Sequence, residues 1–336
     1  MHLIECDDSR REAWDEYVRR SPDASFYHLY GWRQVNEEEF RHRSFYLAAL
    51  DGECLVGVFP IVQVKSLLFG NLGCSMPFVN FGGPCGETAA VEDALLARAK
   101  TVVARERLAY LEMRNRRPIG SGLPTSTHKV SMTVALDPNP ETLWKAFKHQ
   151  HRQEIRRSAK NGLEARCGGA ELLDPFYTVL SESWRALGTP LYAKSYFRRI
   201  MEQFPGATRI CLVSAGEEPA AAAFYGIHGK VAEGMWLGAR LKFRRQLAGY
   251  LLYWEFIRDA CLLGLDRFHL GRSTNDSGGE VHKRKWNAYP TPLYWQYILG
   301  TRQAMPALNV DNPRYQLAIR AWRRLPLQVT RRIGPP

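Results

Sequence analysis

Residues 45–61 read FYLAALDGECLVGVFPI, and residues 209–227 read RICLVSAGEEPAAAAFYGI. These two stretches decide the fold because they share one plan. Each begins with an apolar run of strand length, passes through a short segment that contains glycine, and continues into a second apolar run. Such a pattern is typical of a β-hairpin. The sequence therefore predicts two similar hairpins, one in each half of the chain.

A helix and then a strand that ends in arginine follow each hairpin. In the first half, the apolar residues of 91–107 have the spacing of one helical face, and the strand 109–114 ends at Arg114. In the second half, residues 247–263 stop at Gly264, a typical helix end, before a strand that ends at Arg272. The similar order and spacing favour one duplication. A chance resemblance is the alternative, because hairpin–helix–strand units are common.

The last of these strands leads into the candidate site. Residues 268–274 read FHLGRST, and Gly278-Gly279, Lys283, Trp286 and PLYWQY at residues 292–297 follow. We expect a flexible polar loop after the strand and then a basic and aromatic segment, an order that brings cations and hydroxyls to the end of a sheet. If the segment around Lys283 is extended, Arg284 points to the opposite face.

These residues resemble the C-terminal signature of the FemAB family, in which a strand ending in Asp-Phe-Gly-Arg-Ser precedes Phe-Lys-x-x-Trp-Gly and a Pro-Leu-aromatic strand. The lysine and the tryptophan of that pattern are present. The chain departs from it at His269, Leu270, His282 and Asn287. Two upstream segments, LGTPLY at 187–192 and SMPFVNFGG at 75–83, resemble the same family. The resemblance covers most of residues 20–300 and is strongest to FemAB-related proteins associated with bacterial exopolysaccharide and PEP-CTERM protein-sorting systems.

The FemAB resemblance implies an α/β fold of two tandem GCN5-related N-acetyltransferase-like (GNAT) domains, each a mixed sheet flanked by helices. The duplicated plan agrees with this expectation and comes from different residues. We place the domain boundary near Thr127, after a segment rich in Pro, Gly, Ser and Thr. The expected domains are residues 1–127, residues 128–300 with the active site, and a basic C-terminal helix and tail at residues 301–336.

The composition is that of a folded protein with an excess of positive charge. The 336 residues include 46 Lys and Arg against 34 Asp and Glu, which gives a formal net charge of +12. This excess favours polyanionic partners such as tRNA, coenzyme A, nucleotide sugars or an anionic inner-leaflet surface. Many of the cations lie on a helix predicted from Glu141 to Lys160 and in the C-terminal tail. Phosphate contact is the functional interpretation of the helix, and peripheral membrane contact is that of the tail. A solvated basic surface is the alternative in both places.

The compartment is predicted from the cysteines and from hydropathy. Seven cysteines are scattered without a Cys-x-x-Cys pair, so we expect neither a disulfide framework nor a thiolate zinc site. No signal peptide or membrane span is evident, which predicts a cytoplasmic protein with peripheral inner-membrane contact left open. The sequence shows no Ser-His-Asp order, metal-ligand cluster, P-loop or Rossmann glycine pattern, which disfavours hydrolases, metalloenzymes and nucleotide kinases.

The candidate catalytic residues are Lys283, Arg272 and Asp276. Acyl transfer to an amine needs two substrates held in line, a hydrogen-bond donor or cation on the carbonyl oxygen, and a route for the amine proton. The FemAB resemblance places the signature lysine at the reaction centre, so Lys283 takes that role; a solubilising surface lysine is the alternative. Arg272 would add positive charge, and Asp276 would orient Lys283 or accept a proton unless it only forms a turn. His282 is a weaker candidate for the base.

Further residues are candidates for binding. Those for substrate are Trp32, Arg33, Asn80, Gly82, Gly83, Thr189, Tyr192, Ser273 and Trp286. Plain core packing is the alternative for the two tryptophans. For a cofactor, Gln246 and Gly249 supply half of the Arg/Gln-x-x-Gly-x-Gly/Ala pattern that binds the coenzyme A pyrophosphate at a helix N-terminus. The final small residue is missing, which makes coenzyme A binding less expected than in a typical acetyltransferase and leaves aminoacyl-tRNA or another carrier open. No metal is expected.

The resemblance implies an N-acyltransferase or aminoacyltransferase of the FemAB/GNAT type. Its acceptor would be an amine of a cell-envelope glycan, peptide or lipid-linked precursor. The donor stays open between acyl-CoA, aminoacyl-tRNA and a carrier-protein thioester. The departures from the signature favour the alternative, a catalytically silent binding or scaffold protein of an exopolysaccharide or protein-sorting system.

Overall fold

The computed structural model describes residues 1–66, 70–302, 304–306 and 313–334, so part of the predicted C-terminal tail lies outside the described residues. The chain divides into two compact units. The first unit consists of residues 1–131, 272–277 and 290–306, and the second of residues 132–271, 278–289 and 307–336. The compact units are defined by which residues lie close together, whereas the predicted domains are defined by the repeated order of elements in the sequence. The boundary near Thr127 therefore stays a prediction.

Helices and strands are interspersed along the described residues. The first part forms β1 (His2–Glu5), α1 (Arg11–Arg20), α2 (Gly31–Phe40), β2 (Arg43–Asp51), β3 (Cys54–Ser66), β4 (Gly70–Cys74), β5 (Cys85–Gly86), α3 (Ala89–Arg105), β6 (Tyr110–Asn115) and β7 (Thr125–Ala135). The second part forms α4 (Pro140–Ala146), α5 (His149–Lys160), β8 (Leu163–Gly168), α6 (Leu173–Leu187), α7 (Lys194–Gln203), β9 (Thr208–Ala215), β10 (Glu218–His228), β11 (Val231–Ala239), α8 (Ala248–Leu262), β12 (Arg267–Thr274), α9 (Gly278–Arg284), β13 (Tyr289–Leu299), α10 (Pro313–Arg324) and α11 (Leu327–Ile333).

The first unit is built on a mixed sheet in which the strand order is β1-β2-β3-β4-β6-β13. Neighbouring strands are antiparallel except for β4 and β6. Helix α3 buries Leu95 and Val102 in a cluster with Phe59 and Leu111. Trp14 of α1 lies in a separate buried cluster. Helices thus supply apolar faces to two separate cores of this unit.

The second unit repeats this plan with the strand order β12-β11-β10-β9-β8. Its strands are antiparallel except for β11 and β12. Phe176 of α6 and Phe197 of α7 pack with Phe224 and Trp236 of the sheet, with ring centroids 5.2–6.2 Å apart. Such aromatic contacts add to the burial of apolar area.

The two predicted hairpins are confirmed, as are the helix and the strand predicted after each of them. The two hairpins are β2–β3 and β9–β10, and α3, β6, α8 and β12 occupy the predicted positions within one or two residues. Gly52 and Gly216 at the two turns have φ angles of +57° and +58°. Glycine reaches this region without the steric cost that other residues incur. The predicted α/β architecture of mixed sheets flanked by helices is confirmed as well.

Two local predictions are wrong. The helix expected from Glu141 is interrupted, because the backbone at Phe147 is extended and its buried ring contacts Trp254 and Trp286. The segment after β12 is not a long loop followed by an extended strand, since α9 begins at Gly278. An ion pair four residues apart between Glu280 and Arg284, 2.7 Å long, supports this helix. At Phe147, tertiary contact outweighs local preference.

The absence of a disulfide, expected from the scattered cysteines, is also contradicted. Cys167 of β8 and Cys211 of β9 are directly opposite in the antiparallel register, with Cα atoms 4.1 Å apart, and they are joined by a disulfide. The two residues are 44 positions apart in sequence. Only the pairing of the strands brings them together.

We expect Gly83→Ala to destabilise the protein by about 1–3 kcal/mol, the usual cost of overpacking. A Cβ atom at this position would lie 1.6 Å from Oδ1 of buried Asn115, whose Nδ2 donates to Gln296. Urea unfolding followed by tryptophan fluorescence measures the change. Gly278→Ala is the control, because no atom lies within 4 Å of its added Cβ. Equal stability of the two variants would contradict this packing argument.

Candidate functional site

The parallel pairing of β11 with β12 is short. The ladder has three residue pairs, from Val231–Arg267 to Glu233–His269. The buried Glu233 Oε1 and His269 Nδ1 are 3.1 Å apart at its end. At Gly234, a Cβ atom would come within 2.9 Å of the His269 carbonyl oxygen. The ladder ends there although β11 continues to Ala239, so the two strands diverge.

Helix α8 begins shortly after the end of β11. The chain passes through a 3-10 turn, Leu241–Gln246, and Leu247 at the N-cap has a φ angle of +65° and no side-chain cap. The first amide groups of a helix lack intrahelical acceptors and attract anions. The predicted residues Gln246 and Gly249 both lie here. The start of α8 is therefore a candidate for binding a negatively charged group.

The surroundings of this helix start fit an anionic ligand. Oε1 of Gln246 is buried and has no hydrogen-bond partner within the part of the chain that the structure describes; as an acceptor it calls for a donor group of the ligand and does not itself attract an anion. Nothing lies within 4 Å of a Cβ atom built on Gly249, so its backbone is open to close approach. Arg244 and Arg245 precede the helix, and both are exposed. The sequence pattern pointed to the glutamine and the glycine but passed over these two arginines.

A cleft of about 340 Å³ joins the end of β11, the start of α8 and helix α9. Its lining includes Ala239, Phe243, Arg244, Gly249 and His282. The lining is mostly apolar, with cations at the edge. Clefts of this composition bind organic ligands, and their few polar groups fix the orientation of the ligand.

Lys283 lies on α9 and is half-buried. Its Nζ donates a hydrogen bond of 3.0 Å to the carbonyl oxygen of Gly271. Gly271 is the last residue of β12 that belongs to the second unit. This bond holds the ammonium group at a defined position, as a charge stabiliser requires. Burial, followed by the charges of Lys285 and Lys283, lowers the pKa of the neighbouring His282. That imidazole is therefore neutral at neutral pH.

Trp286 belongs to the core of the second unit. Its ring is fully buried and stacks on Tyr253 at 5.2 Å, with His151 at 4.2 Å. Its Nε1 lies 3.5 Å from His282 Nε2. The side chain thus positions α9, and substrate contact through Trp286 stays a prediction.

His151 is a titratable group that the sequence analysis counted only among the cations of a basic helix. It is 7% exposed, and burial, followed by the charges of His282 and Lys285, lowers its pKa from 6.5 to about 4. It is therefore neutral near pH 7. A histidine within a basic run gives no sign of burial, so only the packing against Trp286 reveals it.

Arg272 lies in the first unit with Ser273 and Asp276. Its Nη1 and that of Arg114 donate to the carbonyl oxygen of Val79, at 2.6 and 2.8 Å. The two guanidinium groups also lie 5.6 and 4.8 Å from the ring centre of Trp295. Arg272 is thus fixed by backbone and aromatic contacts. Its predicted role beside Lys283 stays a prediction.

The neighbours of Arg272 on β12 complete this region of the first unit. Thr274 Oγ1 accepts a hydrogen bond from Lys129 at 2.6 Å, and burial, followed by the charge of Arg272, lowers the pKa of Lys129. Ser273 is buried. Asp276 is exposed with a φ angle of +59°, which fits the turn-forming alternative for this residue.

The remaining candidates of the first unit have structural partners. Trp32 is buried, and its Nε1 donates to Phe26. Arg33 donates to the Cys6 carbonyl and to the Tyr30 hydroxyl, and Asn80 Nδ2 donates to the Tyr27 hydroxyl. The carbonyl of Gly83 lies 2.9 Å from His28 Nε2, and Gly82 packs against Met76. These contacts stabilise the fold, and ligand binding by these residues stays a prediction.

Thr189 and Tyr192 lie at the end of α6. Gly188 has a φ angle of +79°, its amide donates to Arg185 and the Thr189 amide donates to Trp184, which closes the helix. Tyr192 is buried against Tyr196, with ring centroids 4.8 Å apart. The LGTPLY segment therefore caps α6 and packs in the core. Substrate binding by Thr189 and Tyr192 stays a prediction.

One group of potential metal ligands occurs within the described ranges, formed by Cys167, Cys211 and Asp259. The two thiols are joined in the disulfide. Asp259 accepts hydrogen bonds from Arg209 at 2.7 and 2.9 Å and from the Tyr225 hydroxyl. Since metal binding needs free thiolate and carboxylate groups, this group as it stands does not fit a metal.

Residues 145–284 match the family model of the acetyltransferase (GNAT) domain. The matched segment is less than half of the chain, and it contains α8, Lys283 and both strands of the short ladder. This segment of the chain is thus similar to an acetyltransferase (GNAT) domain. No curated protein matches the chain by sequence.

Solved structures agree on the fold. The structure of FemX has a TM-score of 0.67 at 15% identity and covers 95% of this chain and 100% of its own. The C-terminal domain of a lysylphosphatidylglycerol synthetase from Agrobacterium fabrum has a TM-score of 0.59 at 13% identity, with 86% and 92% coverage. A tandem GNAT protein from the clavulanic acid biosynthesis pathway has a TM-score of 0.53 at 11% identity, with 90% and 99% coverage. The fold is that of Fem-type and tandem GNAT proteins.

The structure also bears on membrane association. Among the helices within the described residues, none has the length and apolar character that crossing a bilayer requires.

The free energy of unfolding should fall as the pH drops from about 6.5 to about 4. Because the pKa of His151 is lowered in the folded state, the unfolded chain takes up its proton first, and the shift corresponds to at most about 3 kcal/mol. His151→Gln removes this contribution, so its stability should decline less over that range in urea unfolding experiments. His149→Gln, an exposed position on the same helix, should follow the wild type. Equal pH slopes for His151→Gln and the wild type would be evidence against this assignment.

Proposed function

We propose that the protein is an N-acyltransferase or aminoacyltransferase. It would transfer an acyl or aminoacyl group to an amine of a cell-envelope glycan, peptide or lipid-linked precursor. The match of residues 145–284 to the acetyltransferase domain supports the reaction class. The resemblance of the signature around Lys283 to the FemAB family supports the acceptor class and an association with exopolysaccharide or PEP-CTERM protein-sorting systems. A cytoplasmic location with peripheral inner-membrane contact belongs to the same proposal.

The observation that carries this proposal is the start of α8. A diverging strand pair, a helix N-terminus without a side-chain cap, two exposed arginines and an open glycine backbone occur together within the segment that matches the family model. Phosphate groups bind at such helix starts. Acyl-CoA and aminoacyl-tRNA both carry phosphate groups, so the start of α8 is proposed as the donor site for either.

Lys283 would act on the carbonyl group of the donor. Attack of the acceptor amine on this carbon forms a C–N bond and places negative charge on the carbonyl oxygen; loss of the thiolate or ribose oxygen completes the transfer. An ammonium group held by the Gly271 carbonyl would stabilise that charge. The neutral imidazole of His282 is the nearest candidate in sequence for accepting the amine proton.

Lys283→Met should lower turnover by about 10²–10³-fold, equivalent to about 2.7–4 kcal/mol, because a charge stabiliser for the transition state is lost. Steady-state kinetics with an identified donor and acceptor measure this loss. Lys230→Met is the matched control, since its Nζ donates to a glycine carbonyl in the same way, at 2.9 Å from Gly264. Unchanged turnover of Lys283→Met at an unchanged melting temperature would rule out this role.

Arg284→Met is a poor control for Lys283→Met. The sequence suggests it because neighbours in an extended segment point to opposite faces. Because the segment is helical, Arg284 binds the buried carboxylate of Glu280, and its loss would leave that charge unpaired. Its substitution should therefore reduce stability.

The donor site can be tested by calorimetry with coenzyme A. We expect saturable binding that the double variant Arg244→Gln/Arg245→Gln weakens about tenfold, through loss of two charges at the helix start. Arg267→Gln, an exposed arginine at the first residue of β12, should leave the affinity unchanged. Absence of binding would exclude acyl-CoA and leave an aminoacyl-tRNA or a carrier-protein thioester as donor.

A silent scaffold protein is the second candidate, favoured by the departures from the FemAB signature. One of them, His269, is occupied in a buried contact with Glu233. Mass spectrometry of envelope glycans and peptides from cells with and without the protein separates the two functions. A product that disappears with the protein and with Lys283→Met supports the enzyme, whereas an unchanged inventory supports the scaffold.

A further inference from the structure

A second and larger cleft of about 450 Å³ lies beside the start of α5. The residues of its lining that bear on ligand binding are Lys148, His151, Glu154, Tyr250, Arg284 and Lys285. They come from α5, α8, α9 and the turn that follows α9. Tyr250, in the first turn of α8, lines both clefts, whereas the start of α5 lines only the larger one.

The backbone of α5 offers hydrogen-bond donors to this cleft. The helix begins at His149, and Lys148 at its N-cap makes no side-chain capping bond. The Arg152 amide is bonded to the Lys148 carbonyl. The amides of residues 149–151 precede it in the first turn, where a helix has no acceptors of its own. The partial positive charge of the helix dipole is concentrated at the same point.

The side chain of His151 gives an independent sign of a ligand. This residue lines the cleft, and only 7% of it is exposed to solvent. Its Nε2 atom has no hydrogen-bond partner in any described part of the chain. A buried polar atom without a partner destabilises the fold. An acceptor oxygen of a ligand would offset this destabilisation.

The charged residues of the lining favour an anion. Lys148 and Lys285 are exposed. Arg284 is engaged with Glu280 through two hydrogen bonds of 3.0 and 2.7 Å, so it contributes charge rather than a free hydrogen-bonding group. Glu154, one turn after His151, is an acid in the lining. The two lysines and the helix start outweigh it.

From these features we propose that the cleft beside α5 binds the phosphate group of an organic ligand. The amides at the start of α5, the imidazole of His151 and the ammonium groups of Lys148 and Lys285 are the donors. A phosphate group has several strong acceptor oxygens and can engage donors from three directions at once. The cleft is far larger than one phosphate group, and Tyr250 and Val281 provide apolar surface for the rest of the ligand. This site does not depend on the proposed transfer reaction.

The test uses the full chain and inorganic pyrophosphate as the probe. Calorimetry at neutral pH should show saturable binding, and Lys148→Gln and Lys285→Gln should each weaken it about fivefold, the effect of one surface charge near a phosphate. Lys160→Gln is the matched control, because it removes the same charge from the far end of the same helix. No saturable binding at millimolar pyrophosphate, or equal weakening by Lys160→Gln, would overturn the proposal.

The role of His151 is tested by a separate measurement. Addition of pyrophosphate should shift the imidazole resonances of His151 and leave those of exposed His149 unchanged. His151→Phe should weaken binding at least tenfold; because this buried position can affect folding, the two surface lysines remain the primary variants. Resonances of His151 that stay unchanged at saturating pyrophosphate would remove it from the site.

The source of the phosphate is distinguished by competition. If saturating coenzyme A displaces pyrophosphate from wild type but not after Arg244→Gln/Arg245→Gln, the phosphate belongs to a donor that spans both clefts. Binding of both probes together assigns the cleft beside α5 to a separate phosphorylated ligand. Failure of the transfer reaction appears as absent turnover and failure of this site as absent pyrophosphate binding by the wild type, so the two failures give different results.

Discussion

The short parallel ladder between β11 and β12 is the constraint on which the second unit depends. A buried carboxylate such as Glu233 requires a hydrogen-bonding partner, and His269 provides it across the last residue pair. The close approach of Gly234 to the His269 carbonyl lets the two strands meet at this point and diverge beyond it. The chain then leaves β11 and starts α8 beside an open cleft. A larger residue at position 234 would push β11 and β12 apart at the point where they begin to diverge.

Positive charge acts in this protein through position rather than through its total. The net charge of +12 favours polyanions in general, and by itself it selects no ligand. At α8 and at α5, cations lie next to helix starts that lack a side-chain cap. Charge and backbone donors reinforce each other only over short distances, since ionic screening limits exposed charges to about 8–10 Å. Both clefts meet this condition, which is why they are stronger candidates than the basic C-terminal segment.

The aromatic packing around Trp286 connects these features. Trp286 contacts Tyr253 of α8, Phe147 before α5 and His151 within α5. It also lies at the end of the segment that holds Lys283 against the Gly271 carbonyl. A change in this packing would therefore move the candidate charge stabiliser and the second cleft together. A residue of the family signature can therefore influence both regions through packing, without touching a substrate.

The sequence by itself determined the elements whose signals are local. The hairpins, with turn glycines at Gly52 and Gly216, and the amphipathic helix α3 followed from patterns within a few residues, and the resemblance around Lys283 pointed to the GNAT-like fold. Only the tertiary structure decided the break at Phe147, the helical form of α9, the pairing of Cys167 with Cys211 and the burial of His151. The physical reason is that each of these depends on neighbours from distant parts of the chain, whose contact energies exceed the small local preferences that a sequence pattern records.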